Sequence, residues 1–250
     1  MDESEIWRAG PASELRPSDI HVWRVELNPP PALEQRYRMI LAEDELVRAG
    51  RFHFERDRRR FTTARGALRV ILSQYLESNP GQIKFLYEPA GKPYLPGAQN
   101  KPDLRFNVSH SGELALIGVC LGQSLGIDIE FKDADHATLE VARRFFAPEE
   151  IAAVEAAPAE SRGEVFFAIW TMKEAYIKAR GEGVALGLAT FAVAAGPARN
   201  ARLLRSSHGV DETKRWKFWT IDAGPAYAAA LAAEGDGEQR LSFWTPDSAR

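Results

Sequence analysis

Hydrophobic and polar residues alternate along the stretch from Leu125 to Lys132, LGIDIEFK. Leucine, isoleucine and phenylalanine take the odd-numbered positions, and Asp128 and Glu130 stand among the even-numbered ones. A period of two is typical of a half-buried β-strand, so the two carboxylates share one face, roughly 6.6 Å apart along the backbone. Because like charges this close raise each other's pKa, the pattern predicts a positive group beside this strand.

The rest of the chain predicts helices and strands in mixed order. Predicted strands cover residues 21–27, 83–87, 104–108, 114–121, 190–194, 217–222 and 227–232. Predicted helices cover residues 32–49, 51–76, 138–146, 148–156 and 162–180. The segment SHSG at 109–112 predicts a turn, and the neighbouring strands predict a local antiparallel hairpin. Helices mixed with antiparallel strands indicate an α+β fold.

A loose internal similarity links the two halves of the sequence. The segment RFHF at 51–54 precedes one long predicted helix, and RFF at 144–146 leads towards another. Chance accounts for so short a match about as well as duplication does. The pattern therefore leaves both origins open.

Composition narrows the class of protein without naming a function. The chain has 250 residues, enough for one large domain or two small ones, with 45% hydrophobic and 27% charged residues. A net charge of -3 gives no general attraction to nucleic acid, so we expect no nucleic-acid partner.

Several features indicate a cytoplasmic protein that does not enter a membrane. Cys120 is the single cysteine, so no disulfide can form within the chain. The acidic, polar start of the sequence does not resemble a signal peptide. The longest apolar run, at 114–127, is too short and too polar to span a bilayer.

The helix predicted around residues 165–181 supplies a third carboxylate. Thr171, Glu174 and Lys178 fall on one stripe of this helix. Taken alone, Glu174 and Lys178 would be an exposed pair worth roughly 0.3–0.5 kcal/mol. Next to the acidic strand, however, Glu174 could complete a set of three oxygen donors that suits magnesium. Magnesium usually shares its coordination sphere with phosphates, so this interpretation predicts a phosphorylated ligand.

Candidate phosphate-binding groups occur in three segments. The stretch 48–69 carries eight arginines, although most of them fit an ordinary solvated helix face. Lys92 stands between glycine and proline, where it could point at an anion or form a plain turn. The turn at 109–112 could cradle a phosphate through hydroxyl and backbone N–H groups. His110 taken alone is more often a structural turn residue than a ligand.

Five motifs in a fixed order resemble the 4'-phosphopantetheinyl transferases, enzymes that activate carrier proteins. The motifs are GKP at 91–93, FNVSHSG at 106–112, GIDIE at 126–130, FFAPEE at 145–150 and FFAIWTMKEAYIKARG at 166–181. The resemblance covers roughly residues 50–190. The length of the chain is similar to that of the long class, which activates surfactin-type peptide synthetases.

The resemblance implies a fold and a reaction. It implies two similar α/β halves, residues 1–122 and 123–250, related by a pseudo-twofold axis with the ligand in the cleft between them. A monomer would suffice, because both halves lie in one chain. A serine of an apo acyl or peptidyl carrier protein would attack the pyrophosphate of coenzyme A. Phosphopantetheine would be transferred with the help of Mg²⁺, and adenosine 3',5'-bisphosphate would leave.

The resemblance also implies roles for individual residues. The metal ligands would be Asp128, Glu130 and Glu174. The catalytic residues would be Glu174, as the general base that acts directly or through a metal-bound water, and Lys178. The coenzyme A contacts would be Arg58, Arg65, Lys92, Ser109, His110 and Lys178, with Arg58 and Arg65 meeting the 3'-phosphate. The role of Glu150 stays open, since a carboxylate at a helix N-terminus also has a structural use.

Two other functions fit the same residues. A hydrolase of another phosphate compound would use the metal site with water as nucleophile. A non-catalytic adaptor that binds carrier proteins would leave Asp128 and Glu130 solvated on a strand edge. The first would consume its ligand without an acceptor protein, and the second would show no dependence on metal.

Overall fold

The computed structural model describes residues 7–10, 14–100, 103–133, 135, 137–183, 187–195, 201–235 and 237–247. The helices in this part of the chain are α1 (Pro31–Met39), α2 (Glu43–Gly50), α3 (Glu55–Leu76), α4 (Leu139–Phe145), α5 (Pro148–Ala156), α6 (Arg162–Arg180) and α7 (Glu212–Arg215). Among these described helices, none has the length and apolar character needed to cross a membrane.

Twelve strands are found in the same described ranges. They are β1 (Arg8–Gly10), β2 (Asp19–Glu26), β3 (Leu86–Tyr87), β4 (Pro93–Tyr94), β5 (Leu104–Ser111), β6 (Leu114–Leu121), β7 (Leu125–Phe131), β8 (Phe191–Ala194), β9 (Arg202–Ser206), β10 (Trp216–Thr220), β11 (Tyr227–Glu234) and β12 (Arg240–Pro246). The mixture of helices and largely antiparallel strands confirms the predicted α+β fold.

The first half is built on a five-stranded sheet with the order β1-β12-β2-β6-β5. Strand β6 is antiparallel to both β2 and the edge strand β5, whereas β12 runs parallel to β2. The long helix α3 packs on this sheet through Leu68 and Ile71, which join Trp23 and Ile117 in one core. The strand β12 thus lies in the first sheet although it comes from the far end of the chain.

The second half is built on a three-stranded antiparallel sheet with the order β10-β11-β7. Helix α6 covers it, and Ile169 and Tyr176 of that helix pack with Phe218 and Phe191. A third core, which includes Ile20, Leu116, Ile127 and Leu231, lies between the two sheets. Each half therefore has its own sheet and helices, as predicted, and apolar packing joins the halves.

Several local predictions differ from the structure. The predicted helix 32–49 is divided into α1 and α2, because the Glu45 side chain accepts a hydrogen bond from Ala42 N (2.9 Å) and starts a new helix there. The predicted turn at 109–112 begins later, since β5 continues to Ser111. The predicted hairpin is formed by β5 and β6, while β7 pairs with β11.

Strands β5 and β7 are the edges at which the two sheets meet. Side chains of β5 bridge this seam at alternate positions. The amide oxygen of Asn107 accepts a hydrogen bond from Ile127 N (2.8 Å), and the Ser111 hydroxyl accepts one from Phe131 N (3.0 Å). The period of two along β5 therefore aims its polar side chains at the neighbouring half.

Gly126 permits unusually close packing of α6 on β7. A Cβ atom at this position would lie 2.0 Å from the carbonyl oxygen of Ala175 and 2.4 Å from the backbone nitrogen of Ala179. Only glycine fits such a backbone-to-backbone contact. This contact sets the distance at which side chains of α6 meet the polar face of β7.

Candidate active site

The polar face of β7 is covered by α6 rather than by solvent. Asp128 is only 2% exposed, and Glu130 is half-buried. Glu174 and Lys178, one turn apart on α6, face the same region. Lys178 binds Asp128 directly, and the charges of Asp128 and Lys178 both act on the pKa of Glu174. We call Asp128, Glu130, Glu174 and Lys178 the carboxylate cluster.

Asp128 is held by two donors on one of its oxygens. Lys178 Nζ donates to Asp128 Oδ1 at 2.6 Å, and the Ser109 hydroxyl donates to the same oxygen at 2.8 Å. Lys178 Nζ also donates to Ser109 Oγ at 2.9 Å. The ammonium group of Lys178 is thus the positive charge that the acidic strand predicts.

The other oxygen, Asp128 Oδ2, is buried and has no hydrogen-bond partner among the described residues. An unpaired carboxylate oxygen is expensive to bury, and its usual explanation is a missing ligand, ion or water. Burial raises the pKa of Asp128, with Lys178 and Ser109 opposing the shift. A cation or a hydrogen-bond donor next to Asp128 Oδ2 would therefore be stabilised.

Ser111 holds Glu130, and Trp170 lies on the same cavity wall. The Ser111 hydroxyl donates to Glu130 Oε2 at 2.9 Å, and the indole of Trp170 on α6 lines the same cavity as this carboxylate. Burial first, and then the charge of Asp128, raises the pKa of Glu130. The pKa of Glu174 is raised by the same two causes in the same order. The three carboxylates therefore lie close enough to repel one another.

This donor set fits a hard divalent cation by its chemistry. Three carboxylates with raised pKa values and one orphaned oxygen would all be stabilised by a cation that binds oxygen. As the described side chains stand, however, they include no group of three or more His, Cys, Asp or Glu residues placed to hold a metal ion. In this arrangement, Lys178 supplies the compensating charge.

His110 lies in a positively charged region at the end of β5. Its side chain keeps an exposed face, yet partial burial lowers its pKa first, and Lys178, Arg60 and Arg48 lower it further. The ring is therefore neutral near neutral pH and can accept or donate a hydrogen bond. The same cations would attract an anionic ligand.

A cavity of about 870 Å³ opens beside α2. Its wall combines basic, aromatic and acidic side chains: Arg48, Arg51, Phe52, Tyr87, Glu43 and Asp44. Arginine and aromatic groups suit a ligand with phosphate groups and a flat ring system, and the two carboxylates offset part of the positive charge. The sequence pattern did not single out Arg48 or Arg60, because charge alone does not distinguish them from the other arginines of the stretch.

Arg58 and Arg65, the arginines predicted to meet a phosphate, have other partners. Arg65 is buried, pairs with Glu45 at 2.5 Å and lies over the Phe85 ring at 4.3 Å. Arg58 pairs with Glu55 and borders a separate groove along α1 and α2. Neither is among the charged groups that act on His110. Their predicted contact with a ligand stays a prediction.

Lys92 makes no side-chain ion pair among the contacts described for it. Its ammonium donates to the carbonyl oxygens of Leu125 (3.1 Å) and Lys178 (2.7 Å). Burial lowers its pKa, with Glu88 acting in the opposite direction. The lysine of the GKP motif thus reaches the second half of the molecule through backbone atoms.

An apolar cavity of about 400 Å³ lies on the other side of Glu130. Phe131, Phe166 and Trp170 line it together with Ser111. Ser111 and Trp170 were missed by the sequence analysis. Ser111 could have been found, because it repeats the spacing of Ser109 along β5 as Glu130 repeats that of Asp128.

Comparison with known families divides the chain in two. Residues 124–232 match the family model described as the 4'-phosphopantetheinyl transferase superfamily. Residues 28–121 match the model described as 4'-phosphopantetheinyl transferase, N-terminal. The first match contains the whole carboxylate cluster, and the second contains Ser109 and His110. The boundary between these matches lies close to the predicted division at residue 122, which itself stays a prediction.

Individual relatives carry the same description. The chain is 38% identical to the 4'-phosphopantetheinyl transferase HetI of Nostoc sp. over 94% of this chain and 95% of that protein. It is 29% identical to the 4'-phosphopantetheinyl transferase Sfp of Bacillus subtilis over 64% of this chain and 68% of that protein. It is 38% identical to the 4'-phosphopantetheinyl transferase psf-1 of Bacillus pumilus over 57% and 59%, respectively.

Proposed function

Because this chain belongs to the 4'-phosphopantetheinyl transferase superfamily, we propose that it transfers the 4'-phosphopantetheine group of coenzyme A to a serine of an apo acyl or peptidyl carrier protein. The reaction would depend on Mg²⁺ and release adenosine 3',5'-bisphosphate. The observation that carries the proposal is Asp128, buried with one unpaired oxygen between Lys178 and the two glutamates.

Asp128, Glu130 and Glu174 would hold the magnesium ion. A bound Mg²⁺ would supply positive charge for the diphosphate oxygens of the substrate. The raised pKa values of the three carboxylates support this assignment, because burial destabilises all three charged groups and the charge of Asp128 adds to this at Glu130 and Glu174. Ser111 would keep Glu130 in place.

Glu174 would take the proton of the attacking serine. Its raised pKa brings the carboxylate closer to neutral pH, where a general base is most effective. A bond would form between the serine oxygen and the phosphorus of the phosphopantetheine phosphate. The bond from that phosphorus to the bisphosphate oxygen would break, and the bisphosphate would leave. The nucleophile comes from the carrier protein.

Lys178 would stabilise the charge that develops on the phosphate oxygens. Its side chain is 28% exposed, so the ammonium can reach a ligand while Ser109 and Asp128 orient it. His110 would meet a phosphate of coenzyme A, supported by the surrounding positive charge of Arg48 and Arg60.

The nucleotide end of coenzyme A would occupy the cavity beside α2. A volume of about 870 Å³ is in the range of small-molecule sites. Arg48 and Arg51 in its wall are our candidates for the 3'-phosphate, in addition to the predicted Arg58 and Arg65. The two sets differ in their surroundings, because Arg65 is buried and shares Glu45 with Arg69, whereas Arg48 and Arg51 line the cavity.

The protein is also proposed to act as a cytoplasmic monomer, without a membrane or nucleic-acid partner. Burial raises the pKa of the Cys120 thiol to about 12, so this cysteine is unreactive and gives no route to a disulfide-linked dimer. Light scattering of the purified protein would test the monomer, and a dimer mass would contradict it.

Intact-mass measurement of a carrier protein tests the proposed reaction. Purified enzyme, coenzyme A, Mg²⁺ and an apo carrier protein should yield a carrier that has gained phosphopantetheine, and a chelator should prevent the gain. The variants Asp128→Ala and Glu174→Ala should abolish transfer with the fold intact. The control Glu149→Ala removes an exposed carboxylate bound to Arg205 and should retain activity.

Two results would overturn the proposal. Breakdown of coenzyme A without a modified carrier would indicate a hydrolase. An unmodified carrier together with intact coenzyme A, over a range of carrier proteins, would indicate a non-catalytic adaptor. Near-normal transfer by either cluster variant would refute the assigned roles while leaving the reaction itself in place.

A further inference from the structure

Lys92 connects the first half of the molecule to both elements that carry the carboxylate cluster. The residue precedes β4, in the first half. Its ammonium nevertheless binds the carbonyl oxygen of Leu125, the first residue of β7, and that of Lys178, in the last turn of α6. A single charged group thus contacts the strand of the acidic residues and the helix of the candidate base.

The end of α6 has a physical need for such a donor. The last four carbonyl groups of a helix lack partners within the helix and carry the negative end of its dipole. Lys178 is in this last turn, because α6 ends at Arg180 and Gly181 caps it in the left-handed conformation. The ammonium of Lys92 therefore satisfies both the hydrogen bond and the charge of the helix end.

The two hydrogen bonds of Lys92 lie beside the close contact between α6 and β7 at Gly126. Gly126, next to Leu125, packs against the backbone of Ala179, next to Lys178. The segment that carries Lys92 also contacts the helix end at Gly181, since an added Cβ there would lie 2.9 Å from Glu88 Oε2. Lys92 therefore anchors the last turn of α6 to the start of β7, beside the close packing contact of Gly126.

We propose that Lys92 is a positioning residue that acts through Lys178. By fixing the last turn of α6 against the start of β7, it determines where the Lys178 ammonium lies relative to Asp128 and a bound ligand. This inference rests on the role of Lys178 in the proposed transfer. It differs from the direct phosphate contact that the GKP motif predicts, since Lys92 is half-buried and its ammonium binds two backbone carbonyl oxygens.

Turnover and binding of an unreactive probe separate the two roles. In Lys92→Met, kcat for transfer should fall on the order of 10–100-fold, because displacements near 1 Å have effects of that size. Binding of adenosine 3',5'-bisphosphate, measured by calorimetry, should change less than about twofold, and KM for coenzyme A should change little. The control Lys84→Met removes an exposed lysine of the same loop region and should leave both quantities unchanged.

Lys92→Arg sharpens the comparison and also serves if Lys92→Met does not fold. Arginine would keep the positive charge, but its planar guanidinium differs in shape and reach from the ammonium that binds the two carbonyl groups. The positioning role predicts low kcat with normal binding of the bisphosphate. Normal kcat in either variant would overturn the inference. Tenfold weaker binding of the bisphosphate by Lys92→Met would overturn it in favour of a ligand contact.

A double-mutant cycle with Lys178→Met distinguishes positioning from general structural support. If Lys92 acts through Lys178, adding Lys92→Met to Lys178→Met should reduce kcat little further. Independent, multiplying losses would overturn the inference. Wild-type protein that modifies no carrier would instead refute the proposed function, so the two failures are distinguishable.

Discussion

Replacing Gly126 by alanine would separate α6 from β7 at the base of the carboxylate cluster. The new Cβ would lie 2.0 Å from the carbonyl oxygen of Ala175, whereas ordinary contacts begin at 3.4 Å, so the helix must move by at least about 1.4 Å. Both nearest neighbours, Ala175 O and Ala179 N, are backbone atoms, and no side-chain rotation can relieve the clash. We therefore expect a cost at or above the upper end of overpacking, about 3 kcal/mol.

That cost should appear in both stability and turnover. For a chain of this size, about 3 kcal/mol corresponds to a thermal midpoint roughly 6–12 °C lower. Moving α6 also moves Glu174 and Lys178 away from Asp128, so kcat for carrier modification should fall about 100-fold or more in the protein that remains folded. Calorimetry and the carrier-mass assay, run below the lowered midpoint, measure the two effects.

Gly163→Ala is the matched control for this experiment. It makes the same change near the start of α6, where the one described neighbour within 4 Å of an added Cβ would be Ala137, at 3.9 Å. Alanine is a better helix former than glycine, so this variant should be as stable as wild type or slightly more stable. If Gly126→Ala melted and turned over like Gly163→Ala, close packing of α6 on β7 could not be what builds the cluster.

Three further outcomes follow from charged groups. Without divalent cations, Glu174→Gln should stabilise the fold by roughly 0.5–2 kcal/mol in urea denaturation, because it removes repulsion with Asp128. Mg²⁺ should no longer raise the urea midpoint of this variant. Unchanged stability without divalent cations would contradict the repulsion. The raised pKa values of Asp128, Glu130 and Glu174 mean that the folded state binds protons more tightly than the unfolded state. Without metal, the contribution of these three groups to the free energy of unfolding should therefore fall as pH rises from ordinary carboxylate pKa values to the raised ones, while transfer activity rises. Stability and activity that rise together with pH would refute the assignment. Lys173→Met should cost roughly 3–5 kcal/mol in urea denaturation, since it leaves Glu150 buried without its ammonium partner, and a loss near zero would show that backbone donors suffice.

The sequence predicted the carboxylate strand and the helix opposite it because both are local patterns. The alternation around Asp128 and the helical spacing of Glu174 and Lys178 depend only on periods of 2 and 3.6 residues. Close approach of the two elements could not be derived from either pattern. It depends on Gly126, whose missing side chain has a meaning only once a helix packs on that spot.

Other features could not be predicted because they depend on distant pairing. Strand β12 lies parallel to β2, as in the pairing of Trp244 with Trp23, and nothing in its own sequence indicates a partner more than two hundred residues away. The arginines posed the same problem. Arg65 and Arg48 are alike as sequence, but Arg65 is buried and pairs with Glu45 inside the protein, whereas Arg48 borders a large cavity.

Buried glutamates at matching places favour duplication over chance for the two halves. Glu45 on α2 and Glu150 on α5 each accept a hydrogen bond from the backbone N–H three residues earlier, at 2.9 and 2.8 Å. Each also binds cations of the long helix that follows: Arg65 and Arg69 on α3 in one half, and Lys173 on α6 in the other. A helix cap would explain either glutamate alone, but a cap does not require a buried cation from the next helix. The open role of Glu150 is therefore structural in this arrangement, and a buried glutamate that caps one helix and binds cations of the next is what duplication of one ancestral half predicts for both halves.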